Sequence, residues 1–278
     1  MGVRFLNRWM KEKGYRGIVP GSLDVLRGKK VVVDASIYLY RFKSTNDLVE
    51  GMTAFLLLFH DHGIFPLFVF DGPPRSNKKE LLRERQKLKQ DAWKQYHETS
   101  ELSESHLLKL KKTFTRVSKQ DVDTIKALLL QYQVPYLDAP HESDEVCAKL
   151  MMDGRVDACM SDDMDMFLYG CSCVIRDVNL ETQTMVCYHT SSILAQLKLS
   201  PHEFKQIGVL SGSDYYKSEY TLYEVMSMFT AFKRTKHTDF YEWVKLYYDV
   251  DVESLWKAYH EYDVSNKNIY TAGVAFWK

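Results

Sequence analysis

The sequence lacks a net positive charge, which would attract polyanions as a whole, and it lacks an apolar run long enough to span a membrane. Its 278 residues hold 37 basic and 37 acidic side chains, so a formal net charge of zero gives no overall attraction to nucleic acid. No apolar run approaches membrane-spanning length, so we expect no membrane partner. The Met-Gly start resembles a myristoylation signal, but Leu6 stands where that signal has Ser or Thr.

Cysteine is also scarce, and its pattern gives no disulfide framework. The five cysteines are an odd number, no secretory leader is evident, and Cys147 and Cys159 lie in apolar runs typical of a core. Cys171-Ser172-Cys173 lacks zinc-ligand spacing and has no histidine pair nearby. We therefore expect a reducing, intracellular location, either the nucleus or a viral replication site.

Carboxylates, in contrast, recur along the chain in a fixed order, each set near an apolar run. The seven are Asp34, Asp71, Glu142, Asp144, Asp163, Asp165 and Asp214. A buried carboxylate is costly unless a cation accompanies it, and hard oxygen donors favour Mg²⁺ or Mn²⁺ over zinc. This pattern predicts a metal-dependent enzyme that acts on phosphate esters.

The charges are unevenly distributed. Residues 138–165 carry nine acids against two bases, residues 75–89 carry seven bases, and residues 107–120 carry five bases and no acid. Acids that need cations, beside basic helices, are typical of a nuclease with metals at the scissile phosphate. The alternative is that the basic runs are solvated helix faces with i,i+4 ion pairs.

The order of apolar segments predicts the fold class. KKVVVDAS and FPLFVFDG are typical of buried strands, and the segment DLVEGMTAFLLLFHDHG between them is typical of a helix. VDACMSDD repeats the strand pattern, and CSCVIRDV and TMVCYHT are expected to be edge strands. We predict one domain over 1–278, of α/β class, with a central mostly parallel sheet flanked by helices. Asp34 and Asp71 would lie at the carboxyl ends of strands, where such sheets bind ligands.

Two regions depart from this alternation. Residues 75–134 predict three helices, roughly 77–97, 103–115 and 119–132, that project as an arch or gateway; a helix pair packed on the sheet is the alternative. Residues 215–278 hold 17 of the 37 aromatic residues and predict helices. Such a region is more often core or a protein partner's surface than a platform for base stacking.

Individual motifs are weak until they are combined. Acidic pairs such as Glu142 with Asp144, or Asp163 with Asp165, are common on surfaces. Glu142 and Asp144, however, stand at a helix start, where the positive helix terminus suits carboxylates.

Other side chains complete the predicted site. We expect Asp162 and Glu145 to lie outside the set of ligands. Lys78 and Arg85 are two helical turns apart and share a face that could stabilise developing charge. Tyr40 could stack on a base or, alternatively, belong to the core of its helix.

The chain resembles the flap endonuclease family, the XPG-type structure-specific 5′-nucleases. Over roughly residues 1–216 it has counterparts of family blocks in the right order, namely MGVRFLNRWM, VVVDASIYLYRF, VFDGPPRSNKKELLRER, VSKQDVDTIKALLLQYQVPYLDAPHESDEVCAKL, GRVDACMSDDMDMFLYG and GVLSGSDYY. All seven metal-site acids of the family have counterparts, and Asp144 stands where Glu is usual.

The resemblance implies specific roles. Two Mg²⁺ ions, or Mn²⁺ in their place, would be held by the seven acids, of which Asp34, Asp71 and Asp163 are taken as catalytic. Gly2 would lie close to the active site and contact DNA, and Tyr40 would stack on a base. Lys78 with Arg85 would be the basic pair of the helical gateway, catalytic as well as DNA-binding. The partner would be DNA with a single-strand/double-strand junction.

One departure from the family concerns duplex binding. After GSDY the family continues into a helix-hairpin-helix turn with a Gly-x-Gly core, whereas this chain continues YKSEYTLYEVMSMF without glycine. A phosphate-binding turn is therefore expected to be altered. No convincing sliding-clamp peptide follows, and the aromatic C-terminal region is a possible surface for a protein partner.

The leading hypothesis is a Mg²⁺-dependent 5′-nuclease that cleaves branched (5′-flap) DNA. A 5′→3′ exonuclease of the same superfamily is the alternative among enzymes. A non-catalytic DNA-binding scaffold is the alternative from another class, although phosphate binding alone would be hindered by the acids.

Overall fold

The computed structural model describes residues 2–45, 47–75, 79–98, 103–267 and 269, with the side chains of 79–82 and 85 left aside. In chain order the elements are α1 (Leu6–Lys13), β1 (Ile18–Ser22), β2 (Lys30–Asp34), α2 (Ala35–Ser44), α3 (Leu48–Asp61), β3 (Phe65–Phe70), α4 (Lys79–Glu98), α5 (Glu104–Phe114), α6 (Lys119–Gln131), β4 (Tyr136–Asp138), α7 (Ser143–Met152), β5 (Ala158–Met160), α8 (Asp165–Leu168), β6 (Cys173–Asn179), β7 (Thr184–His189), α9 (Thr190–Leu197), α10 (Pro201–Leu210), α11 (Leu222–Phe232), α12 (Phe240–Tyr247) and α13 (Val252–Glu261). They form two compact units: Met1–Val25 with Asp144–Ile269 is the N/C unit, and Leu26–Ser143 is the central unit.

The central unit is built on three parallel strands in the order β2-β3-β4. Val31, Val32 and Val33 of β2 are fully buried, as the continuous apolar run requires of a strand covered on both faces. Helices α2 and α3 pack together, and Phe55 of α3 meets Phe68 of β3 edge-on at 6.2 Å. This packing places Asp34 at the carboxyl end of β2 and Asp71 directly after β3.

The strands of the N/C unit follow the order β1-β7-β6-β5. β5 and β6 run parallel, whereas β6 with β7 and β7 with β1 run antiparallel. The prediction that β6 and β7 are edge strands is therefore wrong, because each has a strand on both sides. The edge is β1, whose sequence IVPGS carries a proline and a glycine that an outer strand tolerates but a central strand does not.

The three helices predicted over 75–134 are confirmed within two residues of their observed ends. Helices α4 and α5 pack on each other, and α5 also contacts α2. Helix α6 instead buries Ile125 and Leu129 and packs on α3. The last third of the predicted insertion is thus part of the packed layer, and a gateway role remains a prediction for α4 and α5.

Much of the described part of the aromatic C-terminal region belongs to the core. Phe232, Phe240 and Trp243 are buried, with ring centroids 5.4 to 6.2 Å apart. Helix α10 packs against α11 and α13, so these aromatics fill a helical layer of the N/C unit. Within the described residues, no helix combines the length and apolarity needed to cross a membrane. The mostly parallel α/β class predicted from the sequence is confirmed.

Candidate metal centre

In the central unit, the structure joins Asp34 and Asp71 through shared hydrogen-bond donors. The Asp34 side chain caps α2 by accepting from the Ser36 backbone N–H at 3.2 Å. The Ser36 hydroxyl donates to Asp71 Oδ2. The Ser143 hydroxyl shares its one proton between Asp71 Oδ1 at 2.8 Å and Asp34 Oδ1 at 3.1 Å. Neutral donors therefore hold two carboxylates side by side, with Asp34 almost fully buried and Asp71 exposed.

The two serines were not among the predicted site residues. Ser143 also donates its backbone N–H to Asp71 Oδ1 at 2.8 Å, so one residue makes two contacts with the same oxygen. The sequence signal was its place between Glu142 and Asp144, since a hydroxyl flanked by two predicted ligands at a helix start suits a role in orienting them. Glu142 itself is half-buried in the central unit.

In the N/C unit, Asp163, Asp165 and Asp214 interact. Asp163 Oδ1 accepts from the Asp165 backbone N–H at 2.9 Å. Burial raises the pKa of Asp165 to about 7, and repulsion from Asp163 and Asp214 adds to the rise. Among the described residues, Asp165 Oδ1 is buried and has no hydrogen-bond partner. A carboxylate in this position needs a cation nearby when it ionises.

Gly2 lies against the same acids, as the family resemblance implied. A Cβ added at Gly2 would stand 2.5 Å from Asp165 Oδ1 and 2.9 Å from Asp163 Oδ1, both closer than van der Waals contact. The residue also has φ of 48°, in the left-handed region that glycine adopts without strain. The absence of a side chain thus lets the N-terminal backbone approach the carboxylates.

A tyrosine cluster, made of Tyr169, Tyr215 and Tyr262, packs beside these acids. The sequence does not predict it. The Tyr262 hydroxyl donates to Asp165 Oδ2 at 2.7 Å, and its ring meets Tyr169 at 4.8 Å and Tyr215 at 5.1 Å. Burial first, and then the Asp165 charge, hold the pKa of Tyr262 well above its usual value. Tyr262 therefore stays a neutral donor. It stands 97 residues beyond Asp165, and no spacing rule connects them.

The remaining acids divide by their partners. Asp144 belongs to the N/C unit, where its charge, after burial and Tyr215, raises the pKa of Tyr169. Glu145 is 1% exposed and pairs with Lys267 Nζ at 2.9 Å. Asp162 Oδ1 accepts from the Asp177 N–H at 3.0 Å. That these last two carboxylates lie outside the ligand set stays a prediction.

The donor set fits a hard divalent cation. Every predicted ligand is a carboxylate, and oxygen-only donors suit Mg²⁺ or Mn²⁺ rather than zinc. Asp165 Oδ1, buried without a hydrogen bond in the described part of the chain, is the atom that most requires such a cation. The residues present therefore fit the metal that the family resemblance implies.

Besides Gly2 of the N/C unit, the predicted DNA contacts are Tyr40, Lys78 and Arg85. Tyr40 of α2 is 41% exposed, so it is not a core tyrosine, and Lys89 Nζ stands 4.8 Å from its ring centroid. Its exposure leaves a face for stacking, which stays a prediction. Lys78 lies outside the described residues, and so does the side chain of Arg85 on α4. Their predicted gateway role is untested.

A basic cavity of about 610 Å³ opens between α4, α5 and the end of α2. It is lined by Lys43, Lys89, Gln90, Trp93, Lys94, Lys111, Phe114, Thr115 and Arg116. Five cations with a tryptophan and a phenylalanine make a surface suited to a polyanion with flat bases. The sequence shows two basic runs that contribute side chains to this cavity, but it does not predict the cavity itself.

Comparison with known proteins decides the family. The XPG N-terminal domain matches residues 1–92, and the XPG I-region matches residues 133–214. Flap endonuclease 1 of Mus musculus is 31% identical over 235 residues, and that of Homo sapiens is 30% identical over 237 residues. The chain belongs to the XPG-type flap endonuclease family. The matches cover 78% of this chain and 62% of each relative, so the chain spans less than two thirds of these relatives.

Solved structures of the XPG-type family share the fold. The catalytic core of Rad2 in complex with DNA substrate superimposes with a TM-score of 0.68 at 22% identity, covering 99% of this chain and 92% of that one. Flap endonuclease-1 from Methanococcus jannaschii gives a TM-score of 0.62 at 21% identity, covering 94% and 84%. At these identities the likeness concerns the fold.

The raised pKa of Asp165 leads to a prediction about the metal-free protein. Its pKa is about 7 in the folded chain against an ordinary value of 3.8, so the stability associated with protonated Asp165 is complete below pH 4 and is lost as pH rises through 7. Asp165→Asn should remove this loss and stabilise the metal-free protein at pH 8 by roughly 1–3 kcal/mol. Urea unfolding in EDTA at pH 5 and pH 8 measures the difference.

The control is Asp177→Asn, the same chemical change at an exposed carboxylate in a conformation that Asn tolerates. It should leave the pH dependence of the wild-type chain intact. If Asp165→Asn and the wild type lose stability equally between pH 5 and pH 8, ionisation of the buried Asp165 does not govern the stability of the metal-free state.

Proposed function

We propose that this XPG-type chain is a Mg²⁺-dependent, structure-specific 5′-nuclease that hydrolyses phosphodiesters of branched (5′-flap) DNA with two metal ions. The observation that carries the proposal is the state of Asp165, a buried carboxylate beside Asp163 and Asp214 whose Oδ1 has no hydrogen bond among the described residues. The family and the fold of DNA-complexed relatives support it.

The metal ions would be held by the seven carboxylates, namely Asp34, Asp71, Glu142, Asp144, Asp163, Asp165 and Asp214. Mg²⁺ keeps several of its waters and needs few carboxylates per ion, which suits two ions for seven acids. Bound Mg²⁺ supplies charge neutralisation at the scissile phosphate and acidifies water, so no serine or cysteine nucleophile is needed.

The chain's own groups orient this ligand set. Ser36 and Ser143 fix Asp34 and Asp71 in the central unit, and Tyr262 fixes Asp165 in the N/C unit. Because these hydroxyls are neutral, they orient the carboxylate oxygens without forming ion pairs that would compete with the metal. The carboxylate oxygens are thereby oriented for a divalent metal.

Single-stranded DNA would be held by the basic cavity of the central unit. Lysines and an arginine from α4, α5 and the following loop line it beside Trp93 and Phe114. Cations neutralise phosphates and release counterions, while aromatic side chains accept any base by stacking. Exposed Tyr40, close to Lys89, adds a further stacking surface.

One observation favours the second candidate, a 5′→3′ exonuclease. Between α10 and α11 the backbone amides of Ser213, Tyr215, Tyr216 and Tyr220 donate within the turn itself, to a carbonyl or to serine hydroxyls. These amides cannot also bind duplex phosphates in this conformation. A weaker contact with the duplex would reduce the enzyme's selectivity for flaps over ends.

A non-catalytic scaffold is disfavoured by the acids, which repel phosphate.

The proposed activity is tested with 5′-labelled flap, nicked duplex and blunt duplex in Mg²⁺ and then in EDTA. We expect Mg²⁺-dependent cleavage, and Asp71→Ala or Asp163→Ala should lower the single-turnover rate by about 10²-fold or more while DNA affinity is largely kept. The position of the cut distinguishes an endonuclease from an exonuclease.

The matched control is Asp61→Ala, which removes an exposed carboxylate at the end of α3. It should cut at the wild-type rate. Absence of cleavage on all three substrates would overturn the proposed activity, and an equal loss of binding and rate in Asp163→Ala would show that this acid is structural.

The basic cavity makes a separate prediction. Lys94→Ala and Lys111→Ala should each weaken binding of single-stranded DNA and reduce the slope of log affinity against log salt by about 1, because each removes one phosphate contact. Fluorescence anisotropy over a salt series measures this. Lys198→Ala, an exposed lysine of the N/C unit, is the control; a slope unchanged in both cavity variants would contradict the assignment.

The turn between α10 and α11 predicts how duplex is held. The Ser213 and Tyr216 carbonyls already accept from each other's backbone amides, so we expect no preference for K⁺ over Na⁺ or Cs⁺. Because the Tyr215 and Tyr220 amides are bonded to serine hydroxyls, we also expect little gain in affinity when the downstream duplex exceeds about one turn. Affinities for duplexes of increasing length, measured in each chloride salt, check both points. A strong K⁺ effect or a steady rise with length would show that this turn binds phosphate in another way.

A further inference from the structure

A second cluster of possible metal ligands lies in the N/C unit, on the β6–β7 hairpin. Cys173 Sγ, Cys187 Sγ and a ring nitrogen of His189 all lie within 4.8 Å of one another. Cys173 and Cys187 are free thiols with their sulfurs 3.2 Å apart. Neither the carboxylates nor the DNA-binding surfaces described above include these three side chains.

The register of the hairpin explains why the three groups converge. Cys173 is directly opposite His189, and Ile175 is directly opposite Cys187. Side chains two apart on a strand share a face, so Cys187 and His189 point the same way, and Cys173 joins them from the neighbouring strand. A sequence scan for zinc spacing misses the cluster because Cys173 begins the first strand of the hairpin, whereas Cys187 and His189 lie at the end of the second strand.

The backbone beside the cluster is fixed from both sides. The Thr190 backbone N–H donates to the Ser172 carbonyl at 3.0 Å, and the Thr190 hydroxyl donates to the Cys171 carbonyl at 2.5 Å. These bonds hold the residues adjacent to His189 and Cys173 together whether or not anything binds. The site is therefore preorganised, which lowers the entropic cost of ligand binding.

The atom types and distances select the metal. Two sulfurs and one imidazole nitrogen are donors that Zn²⁺ accepts and Mg²⁺ does not. Tetrahedral zinc with bonds of about 2.0–2.3 Å places its ligand atoms about 3.3–3.8 Å apart. The 3.2 Å between the sulfurs and the 4.8 Å limit of the cluster bracket that range, so small side-chain rotations suffice.

We propose that Cys173, Cys187 and His189 form a Zn²⁺ site with a fourth position open to water, distinct from the carboxylate centre. Exposed His189 and half-buried Cys173 leave a path for the ion to enter. Cysteine binds Zn²⁺ as a thiolate, so occupation of the site releases the thiol protons.

The test uses the full chain, reduced with a phosphine, stripped of metal and kept in excess Mg²⁺ so that the carboxylates are occupied. Titration with Co²⁺ should give a thiolate-to-cobalt charge-transfer band that saturates at one equivalent and disappears when one equivalent of Zn²⁺ is added. Carboxylate sites do not give this band. Its absence would overturn the proposal.

Variants identify the ligands. Cys173→Ser, Cys187→Ser and His189→Gln should each weaken Zn²⁺ binding by about 100-fold or more, since losing a ligand costs more than losing the group that orients one. Cys147→Ser and His60→Gln, which change a buried cysteine and an exposed histidine elsewhere, should bind as the wild type does. Unchanged affinity in the first three would overturn the assignment.

A measurement on the wild-type chain does not depend on how the variants fold. Equimolar Zn²⁺ should slow alkylation of Cys173 by at least about tenfold, as read by mass spectrometry of its peptide. An unchanged alkylation rate would contradict the proposal. The proposal would also be contradicted if the reduced chain bound no Zn²⁺ and the two cysteines, Cys173 and Cys187, formed a disulfide once the reductant was removed.

Discussion

Negative charge gathered inside the fold is the constraint on which much of the structure depends. Asp165 is buried beside Asp163 and Asp214, and Asp34 is buried within reach of Asp71's own hydrogen-bond donor, Ser143. Placing carboxylates this way opposes folding unless they are hydrogen-bonded, protonated or accompanied by cations. Serine and tyrosine hydroxyls supply several of these hydrogen bonds and bring no positive charge that would compete with a divalent metal.

The aromatic helices of the N/C unit also help to position one of these buried carboxylates. Packing among Phe232, Phe240 and Trp243 stabilises the helical layer to which α13 belongs. Tyr262 follows α13 directly, and its hydroxyl reaches Asp165. A region that looks like undifferentiated core from its composition therefore also positions one ligand. Truncating this core would move a carboxylate oxygen as well as remove buried apolar area.

Sequence patterns predict what depends on short-range periodicity. Apolar runs locate β2 and β3 with their terminal acids, and charged helical spacing gives α4, α5 and α6 almost to the residue. They fail where pairing over long distance decides, as for the edge strand β1, the internal positions of β6 and β7, and the contacts of Ser143 and Tyr262. Register and tertiary packing set these features, and a local window of sequence contains neither.

Ligand chemistry separates the two proposed metal sites of the N/C unit. Oxygen atoms that repel one another, as at Asp163, Asp165 and Asp214, favour a hard ion that keeps its waters. Two sulfurs and an imidazole on the β6–β7 hairpin favour a softer ion held by few, directed bonds. Since Mg²⁺ gains little from sulfur, high Mg²⁺ would leave the hairpin open to zinc. Because the zinc ligands share one rigid hairpin, occupation there would add local stability without supplying a ligand to the carboxylates.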